Sequence, residues 1–410
     1  MPRVLLLLPT TTYRAHDFLE AAARLHLDVT VGTEETSALE GVNRQGLLTL
    51  DFRDPAACAR RVEEFARDVP VDAVVGVDEE TAVAAAAVSA RLGRPSNPPG
   101  AAVAAWHKGT LRRRLAAHGV SQPAFRLFFR DESAASAAAA VRYPCVLKPT
   151  FLAGSRGVIR ADGSEEFLAA WARIGRILDL PDVKRRGGKL AREILVEEFV
   201  PGPELSLEGL LDRGSLSVLA LFDKPDPLDG PFFEETIYVT PSRRPVAEQA
   251  AIRDLVARGA RALELSEGPV HAEVRWGPGG PRLIEIAARS IGGLCSRTLT
   301  FGTGMSLEEI ILRSALGMPV ETLERENRAA GVLMIPIPKA GVLESVAGLD
   351  RAKGVPGIVD AVVSAHAGQQ LVPLPEGSRY LGFVFSRAAT PEEAEAALRA
   401  AHRRLEFRIA

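Results

Sequence analysis

Short apolar runs alternate with amphipathic segments along the first hundred residues. The apolar runs are continuous, which is typical of strands buried on both faces of a sheet. The pattern predicts strands at 4–8, 28–32 and 72–77 and helices at 16–25, 55–68 and 79–92. This order indicates a doubly wound α/β domain with a parallel sheet. No GxGxxG follows the first strand, so the pattern does not favour a dinucleotide site.

The segment SNPPG at 96–100 ends this alternation. One helix is predicted for 101–119, ending at Gly119, and a mixed unit of strands and helices follows it. The predicted elements of that unit are strands at 125–129, 143–149, 157–161 and 193–200 and a helix at 164–178.

Antiparallel strands are predicted for the middle of the chain. Residues 204–211 and 215–222 flank the turn DRG and should be neighbours in a sheet. Further predicted elements are helices at 246–264 and 306–316 and strands at 270–276 and 282–288. The last 80 residues, with strands in GVLMIPIP, GIVDAVVSA and YLGFVFSR and a helix in PEEAEAALRAAHRRL, predict a small α+β unit.

Two glutamates interrupt the apolar strands at 270–276 and 282–288. Pairing Trp276 with Arg282 across a five-residue loop, 277–281, places Glu273 directly opposite Glu285. Facing carboxylates repel each other, and a divalent cation removes that conflict. The pattern therefore predicts that Glu273 and Glu285 hold Mg²⁺ against a nucleotide. A register slip or bulge, with both glutamates solvated on an edge strand, is the alternative.

Strand alternation assigns further residues to the face that carries these glutamates. His271, Glu273 and Arg275 share one face of the first strand by period 2. On the second strand, the same face is predicted to carry Leu283, Glu285, Ala287 and Arg289.

A lysine and a small-residue loop lie between two predicted strands of the 124–161 region. Lys148 belongs to VLKP, and the following AGSRG, 153–157, offers backbone N–H groups that suit an anion. An edge-strand lysine and an ordinary turn are the alternatives. Further along, Glu204, Ser206 and Glu208 share one strand face, which could also be a solvated polar face.

Composition excludes several classes of protein. The net charge is −2 over 410 residues, so no global field favours nucleic acid or an anionic membrane. Cys58, Cys145 and Cys295 form no CxxC pair, which argues against a zinc cluster or a disulfide framework. The apolar run at 3–9 is too short for a signal segment, and none approaches the roughly 20 residues of a membrane span. We expect a cytoplasmic protein.

The order of these motifs resembles the ATP-grasp superfamily. They run WHKGTLRRRL, VLKP, GSRGV, EEFVPGPE, HAEV and LIEIAAR, over about residues 1–320. The resemblance implies a multidomain α/β and α+β chain with an ATP-grasp fold. It implies a doubly wound domain at 1–106, a linker helix and lid at 107–200, an antiparallel catalytic subdomain at 201–328 and a C-terminal α+β cap at 329–410.

The resemblance also assigns a nucleotide site. Lys108 and Lys148 match the phosphate-binding lysines, the loop 154–158 matches the one that closes over the phosphates, and 197–200 matches the hinge at adenine. Glu204 matches the residue on the ribose hydroxyls. The ATP-binding residues implied in this way are Lys108, Lys148, Gly154, Ser155, Arg156, Gly157, Val158, Glu197, Glu198, Phe199, Val200 and Glu204.

Catalytic and metal residues follow from the same resemblance. Glu273 and Glu285 match the metal carboxylates, and Arg289 matches the arginine that stabilises the acylphosphate and tetrahedral intermediates, with Lys148 assisting. Ala287 replaces a frequent asparagine ligand, which puts a second metal ion in doubt. Weaker candidates for substrate contacts are Lys224, Glu235, Gly292 and Gly293.

Within the superfamily, EIAARSIGG after the hairpin, the segment 222–242 and the C-terminal unit resemble the carboxylate–amine ligases, particularly the L-amino-acid ligases. The C-terminal unit is also similar to that of biotin carboxylase. The resemblance implies an amide bond made through an acylphosphate, with release of ADP and phosphate. It implies ATP and Mg²⁺ (or Mn²⁺) as cofactors, small carboxylates and amines, above all amino acids, as substrates, and no nucleic-acid or membrane partner. A homodimer is compatible with it. The alternatives are a bicarbonate-activating, biotin carboxylase-like enzyme and a regulatory ATP-binding protein with a degenerate site.

Overall fold

The computed structural model describes residues 1–410. The elements of its N-terminal unit are β1 Arg3–Leu7, α1 Ala15–Arg24, β2 Asp28–Thr33, β3 Leu47–Thr49, α2 Pro55–Ala66, β4 Ala73–Gly76 and α3 Glu79–Leu92. The four strands form a parallel sheet of order β3-β2-β1-β4. Alternate residues of β1 pack into two different cores. Val4 and Leu6 belong to the core that contains Phe18 of α1, and Leu5 and Leu7 belong to the core that contains Val62 of α2. Helices therefore cover both faces, as the continuous apolar runs predict.

The helix predicted for 101–119 is two helices, so that prediction is wrong. They are α4 Pro99–Trp106 and α5 Lys108–Ala117. His107 lies between them in an extended conformation, and its side chain accepts a hydrogen bond from the backbone N–H of Thr110. Because an N-cap residue leaves helical geometry, the chain turns at His107 and α5 begins anew at Lys108.

A small mixed unit follows, and we call its residues 124–200 the lid unit. Its elements are β5 Phe125–Phe129, α6 Ala134–Ala139, β6 Cys145–Pro149, β7 Ile159–Ala161, α7 Ser164–Asp179, α8 Pro181–Gly187 and β8 Glu193–Glu198. The four strands form an antiparallel sheet of order β5-β8-β6-β7. Phe167, Ile174 and Leu178 of α7 are buried against this sheet and form the core of the unit.

The remaining residues build one large sheet and its flanking helices. The elements of the middle segment are β9 Glu204–Asp212, β10 Ser215–Asp223, β11 Ile237–Thr240, α9 Val246–Ala262, β12 Gly268–Gly277, β13 Gly280–Ala287, β14 Thr300–Phe301, β15 Met305–Ser306 and α10 Leu307–Ala315. The C-terminal elements are β16 Ala329–Ile335, β17 Gly341–Ala347, α11 Leu349–Lys353, β18 Ile358–Val363, β19 Gln370–Leu371, β20 Gly382–Ala388, α12 Pro391–His402 and β21 Glu406–Ile409.

The large sheet has eight strands in the order β13-β12-β9-β10-β11-β16-β20-β18. Strands β9 and β10 are antiparallel neighbours, as the sequence predicts. Strands β16, β20 and β18 of the C-terminal unit extend the same sheet through the β11–β16 pairing. The C-terminal unit is thus hydrogen-bonded to the middle of the molecule. None of the helices combines the length and apolar composition needed to cross a bilayer.

The hairpin of β12 and β13 pairs Glu273 with Glu285, as predicted, although the predicted loop is wrong. Trp276 pairs with Pro281 instead of Arg282, and a two-residue turn, Pro278–Gly279, joins the strands. Gly280, at a φ of 90°, accommodates that tight turn. A bulge between Glu273 and Val274 then restores the pairing of the two glutamates.

Because of the same bulge, the predicted orientation of Leu283 on β13 is also wrong. Leu283 was expected on the face of Glu285, but it is fully buried in the opposite core beside Val274 and Leu255 of α9. One extra residue in a strand moves the preceding side chains to the other face.

Candidate active site

Polar side chains form a continuous patch on one face of β9, β12 and β13. Across β9 and β12, Glu208 pairs with His271, Ser206 with Glu273, and Glu204 with Arg275. Glu285 extends the middle row on β13, and Ala287 lies directly opposite His271. The small side chain of Ala287 therefore sits beside an imidazole in the row where a third metal ligand was expected.

The facing glutamates contact two different lysines. Nζ of Lys108 is 3.4 Å from Oε1 of Glu285, and Nζ of Lys224 is 3.2 Å from Oε1 of Glu273. Burial alone would raise the pKa of Glu273, but the ammonium of Lys224 and the imidazole of His271 hold it well below its usual range. Glu273 is therefore an anion in this environment.

Lys224 is enclosed by carboxylates beneath this patch. Its Nζ is 2.7 Å from Oε1 of Glu204, also contacts Glu235, and lies 4.9 Å from the ring centre of Tyr238. Burial would lower the pKa of Lys224, but these carboxylates raise it well above its usual value. Carboxyl oxygens of Glu204, Glu235 and Glu273 lie within 4.8 Å of one another, and one ammonium holds the three groups together. Burial raises the pKa of Glu235 to about 7. Lys224, expected as a substrate contact, does not reach the cavity wall.

Glu197 is a buried counter-ion for two basic residues. Its carboxylate is 2.6 Å from Nε of Arg112 and 2.7 Å from Nζ of Lys148. Burial would raise the pKa of Glu197, but the charges of Arg112 and Lys148 lower it to about 2. Burial in turn lowers the pKa of Lys148, because its desolvation outweighs Glu197. The Glu197 carboxylate, expected at adenine, is thus engaged by Arg112 and Lys148.

Arg289 extends from the end of β13 toward the N-terminal unit. Its Nε donates a hydrogen bond of 2.8 Å to Oε2 of Glu79, the first residue of α3. Burial would lower the pKa of Arg289, but Glu79 and Glu285 raise it. The guanidinium is therefore charged and held in one place, with Glu79 as the partner that an incoming anion would join or displace.

A second buried pair joins the patch to the segment after Arg289. Oε2 of Glu208 accepts from the backbone N–H of Ile291 at 3.0 Å and lies 3.2 Å from Nδ1 of His271. The other oxygen of Glu208 is buried without a partner. Glu208 therefore fixes the backbone leading into Gly292 and Gly293.

These side chains surround one cavity of about 350 Å³. Most residues predicted for the site lie on its wall; they are Lys108, Lys148, Gly154, Ser155, Val158, Glu197, Glu198, Phe199, Val200, Glu204, Glu235, Glu273, Glu285, Arg289, Gly292 and Gly293. Lys224, Arg156 and Gly157 are not on it. Nε of Arg156 donates to the carbonyl of Glu376, and the N–H of Gly157 donates to the carbonyl of Pro375, so both groups face the C-terminal unit.

Several residues that line the cavity or support its wall are not predicted from the sequence. Arg112 lies one helical turn after Lys108, a spacing that could have placed both on one face of α5. Glu79, Glu80, Tyr13 and Tyr380 come from segments far from the motifs, and no local pattern connects them with Arg289. Only the folded chain brings them to the cavity.

The donors present fit a magnesium ion. Glu273 and Glu285 offer hard oxygen ligands from adjacent strands, and both line the cavity where phosphates could complete the coordination. Ala287 supplies no ligand, and Lys224 already compensates Glu204, Glu235 and Glu273. The residues therefore fit one ion between Glu273 and Glu285 better than two.

Three family models match the chain. An ATP-grasp domain model matches residues 141–298, an ATP-grasp N-terminal domain model matches 19–96, and the model of L-amino acid ligase C-terminal domain 2 matches 333–410. The first two cover three of the four strands of the N-terminal sheet, most of the lid unit and the strands that carry Glu273 and Glu285. The fold is that of an ATP-grasp enzyme.

Individual proteins agree with this result. The crystal structure of an L-amino acid ligase from Bacillus licheniformis superimposes with a TM-score of 0.83 at 26% identity, covering 100% of this chain and 99% of that one. Carnosine synthase 1 of Gallus gallus is 30% identical over 72% of this chain and 33% of its own length. The uncharacterized protein y4rH of Sinorhizobium fredii is 24% identical over 100% of this chain and 84% of its own length. The chain belongs to the ATP-grasp carboxylate–amine ligases.

The chain spans about a third of the length of that carnosine synthase. ATP-grasp enzymes in general use ATP and Mg²⁺.

Proposed function

We propose that this protein joins the carboxylate of one small molecule to the amine of another, at the expense of ATP, and that both molecules are amino acids or close analogues. The observation that carries the proposal is the placement of Glu273, Glu285 and Arg289 around one cavity, with Lys108 and Lys148 on its wall. Carboxylates for a metal beside cations for phosphate and carboxylate oxygens suit phosphoryl transfer to an acid.

In the first step, an oxygen of the substrate carboxylate attacks the γ-phosphorus of ATP. The bond from that phosphorus to the β–γ bridging oxygen breaks, and ADP leaves. Arg289 orients the attacking carboxylate, because a guanidinium pairs with two oxygens at once. Lys108 lies beside Glu285 and is placed to neutralise a phosphate oxygen.

In the second step, the amine nitrogen attacks the acyl carbon of the acylphosphate. The carbon–oxygen bond to phosphate breaks, phosphate leaves, and the amine loses one proton to give the amide. Arg289 and the backbone N–H groups of 292–293 stabilise the oxyanion of the tetrahedral intermediate. Glu208 supports them, because it fixes the preceding N–H of Ile291.

Glu273 and Glu285 would hold Mg²⁺, which when bound supplies positive charge to the phosphate oxygens of ATP. Each of the two carboxylates already has a lysine beside it. Glu285 contacts Lys108, and Glu273 contacts Lys224, so these cations reduce the repulsion between the facing carboxylates.

The nucleotide base would lie toward the other end of the cavity, at 197–200. Because the Glu197 carboxylate is engaged by Arg112 and Lys148, we assign adenine recognition there to backbone groups. Glu204 contacts Lys224, so a ribose hydroxyl would share this carboxylate with the ammonium.

The test is a phosphate-release screen with ATP and Mg²⁺ over pairs of amino acids and other carboxylates, followed by mass spectrometry of the products. ADP, phosphate and a condensed product of two added substrates are expected. AMP and pyrophosphate would contradict the acylphosphate route. Turnover that needs bicarbonate and biotin would identify the carboxylase alternative, and the match of 333–410 to a ligase C-terminal domain supports the ligase.

A further inference from the structure

A loop of the C-terminal unit lies directly on the predicted phosphate loop. We call residues 373–380 the strap, and residues 153–158 the phosphate loop. The N–H of Gly157 donates to the carbonyl of Pro375 at 2.9 Å, and Nε of Arg156 donates to the carbonyl of Glu376 at 2.7 Å. At Gly154, a Cβ would lie 3.3 Å from Cβ of Ser378, so the two segments pack closely along their length.

The side chain of Glu376 ties the strap to the body of the lid unit. Its two carboxylate oxygens accept from Nε and Nη2 of Arg173 on α7 at 2.7 and 2.9 Å. The hydrogen bonds from Arg173 lower the pKa of this carboxyl, so the pair is charged at neutral pH. A two-pronged pair of this kind fixes orientation as well as distance.

The strap also lines the substrate cavity. Ser378, Arg379 and Tyr380 lie on the cavity wall, as do Gly154 and Ser155 of the phosphate loop. One short segment therefore contacts the lid unit at Pro375 and Glu376 and the cavity at its next residues. Backbone carbonyls of the strap accept from Nε of Arg156 and from the N–H of Gly157, so the strap anchors one end of the phosphate loop while Gly154, Ser155 and Val158 remain on the cavity wall.

We propose that Glu376 is a positioning residue for the nucleotide site: by fastening the strap to Arg173, it holds the phosphate loop closed over the phosphates of ATP. The C-terminal unit thereby completes the nucleotide site, which the lid unit and the large sheet form only in part. This inference rests on the proposed use of ATP.

The test compares Glu376→Ala with Asp179→Ala. Asp179 makes a matched pair with Arg130, with contacts of 3.1 and 2.7 Å, but that pair lies wholly within the lid unit. Loss of a partly exposed pair at the strap should raise the Kd for ATP about two- to fivefold, whereas Asp179→Ala should leave it unchanged. The KM for ATP should rise by the same factor, with a smaller change in kcat at saturating ATP.

Hydrogen exchange gives a readout that does not depend on turnover. Peptides that contain Gly157 should exchange faster in Glu376→Ala than in wild type or Asp179→Ala, because the Gly157 N–H loses its acceptor more often. The double variant Glu376→Arg with Arg173→Glu rebuilds the pair with reversed charges and should restore the Kd for ATP and the slow exchange.

Two results would overturn the inference. One is an equal Kd for ATP and equal exchange at Gly157 in Glu376→Ala and Asp179→Ala. The other is faster exchange throughout Glu376→Ala together with a lower Tm, since the pair would then act on the whole fold. Failure of the proposed function is a separate result, in which the wild-type protein itself neither binds ATP nor releases ADP.

Discussion

Glu273 and Glu285 lie directly opposite each other on β12 and β13, and each contacts a different lysine. Like charges across a sheet are destabilising, and the cost grows where water is excluded. Lys108 and Lys224 reduce that cost from two sides, one from α5 and one from the end of β10. The pair can therefore persist in the folded protein without a metal ion and still present oxygens to one.

Replacing either Glu285 or Arg289 should stop the reaction while the fold survives. Glu285→Gln weakens the metal ligand, and Arg289→Ala removes the cation that orients the carboxylate, so we expect ADP release to fall about a hundredfold or more in each. Arg253→Ala is the control, because Arg253 pairs with Asp254 on the exposed face of α9 and neither residue lies on the cavity wall. ADP release is measured with circular dichroism as the check on folding. Wild-type rates in folded Glu285→Gln or Arg289→Ala would refute the assigned site.

Lys224 should act as a permanent cation for its three carboxylates. In Lys224→Met, Glu204, Glu235 and Glu273 lose this charge, and their close oxygens become a site for a divalent ion. We expect a lower Tm for the variant without divalent ions, and a larger gain in Tm on adding Mg²⁺ or Ca²⁺ than in the wild type. Lys353→Met, at an exposed pair with Asp360, is the control. A Tm of Lys224→Met that does not respond to either ion would contradict this account.

The sequence predicts the pairing of the two glutamates because side chains alternate strictly along strands, so burial of one face limits the register. It does not predict the bulge at Ile284 or the turn at Pro278–Gly279, and the errors at these two places cancel at Glu285. The sequence predicts both ends of helix α3 correctly. It does not predict the break at His107, because WHKG contains no proline and none of the usual N-cap residues.

The charge pairs that the sequence does not predict join residues that are far apart along the chain. The motifs of the family identify Lys148, Glu273, Glu285 and Arg289 as site residues, but they do not predict which residue neutralises each of these charges. Glu79 lies 210 residues before Arg289, and Arg112 lies 85 residues before Glu197. Such pairings depend on how the units pack, and no periodicity within one element records that.

Gly157 should tolerate no side chain. Its φ is 76°, and a Cβ would lie 2.9 Å from Cδ and Cγ of Pro149, so Gly157→Ala both strains the backbone and displaces the phosphate loop. We expect a loss of stability of about 1–3 kcal/mol and a raised KM for ATP. Gly163→Ala is the control, because its Cβ meets no atom within 4 Å and its φ is −161°. Denaturant unfolding and ATP kinetics check the prediction, and a Gly157→Ala protein that matches Gly163→Ala in both would contradict it.

The buried Glu197 should make stability depend on pH in the acid range. Its pKa is lowered from 4.5 to about 2 in the folded protein by Arg112 and Lys148, against the effect of burial. A lowered pKa stabilises the fold above the unfolded value of 4.5, and this contribution is lost as pH falls toward about 2. Glu197→Gln should therefore cost about 3 kcal/mol near neutral pH, because it leaves two buried cations without their anion, and progressively less below pH 4.5.

Urea unfolding of wild type and Glu197→Gln across pH 2–7 measures this difference, since all other carboxyls are common to both proteins. Glu198→Gln is the control: the neighbouring carboxylate is exposed and contacts Arg282 at the surface, so its substitution should change stability by less than about 1 kcal/mol at every pH. A difference between wild type and Glu197→Gln that stays constant from pH 7 to pH 2 would show that Glu197 is not the charged partner of Arg112 and Lys148.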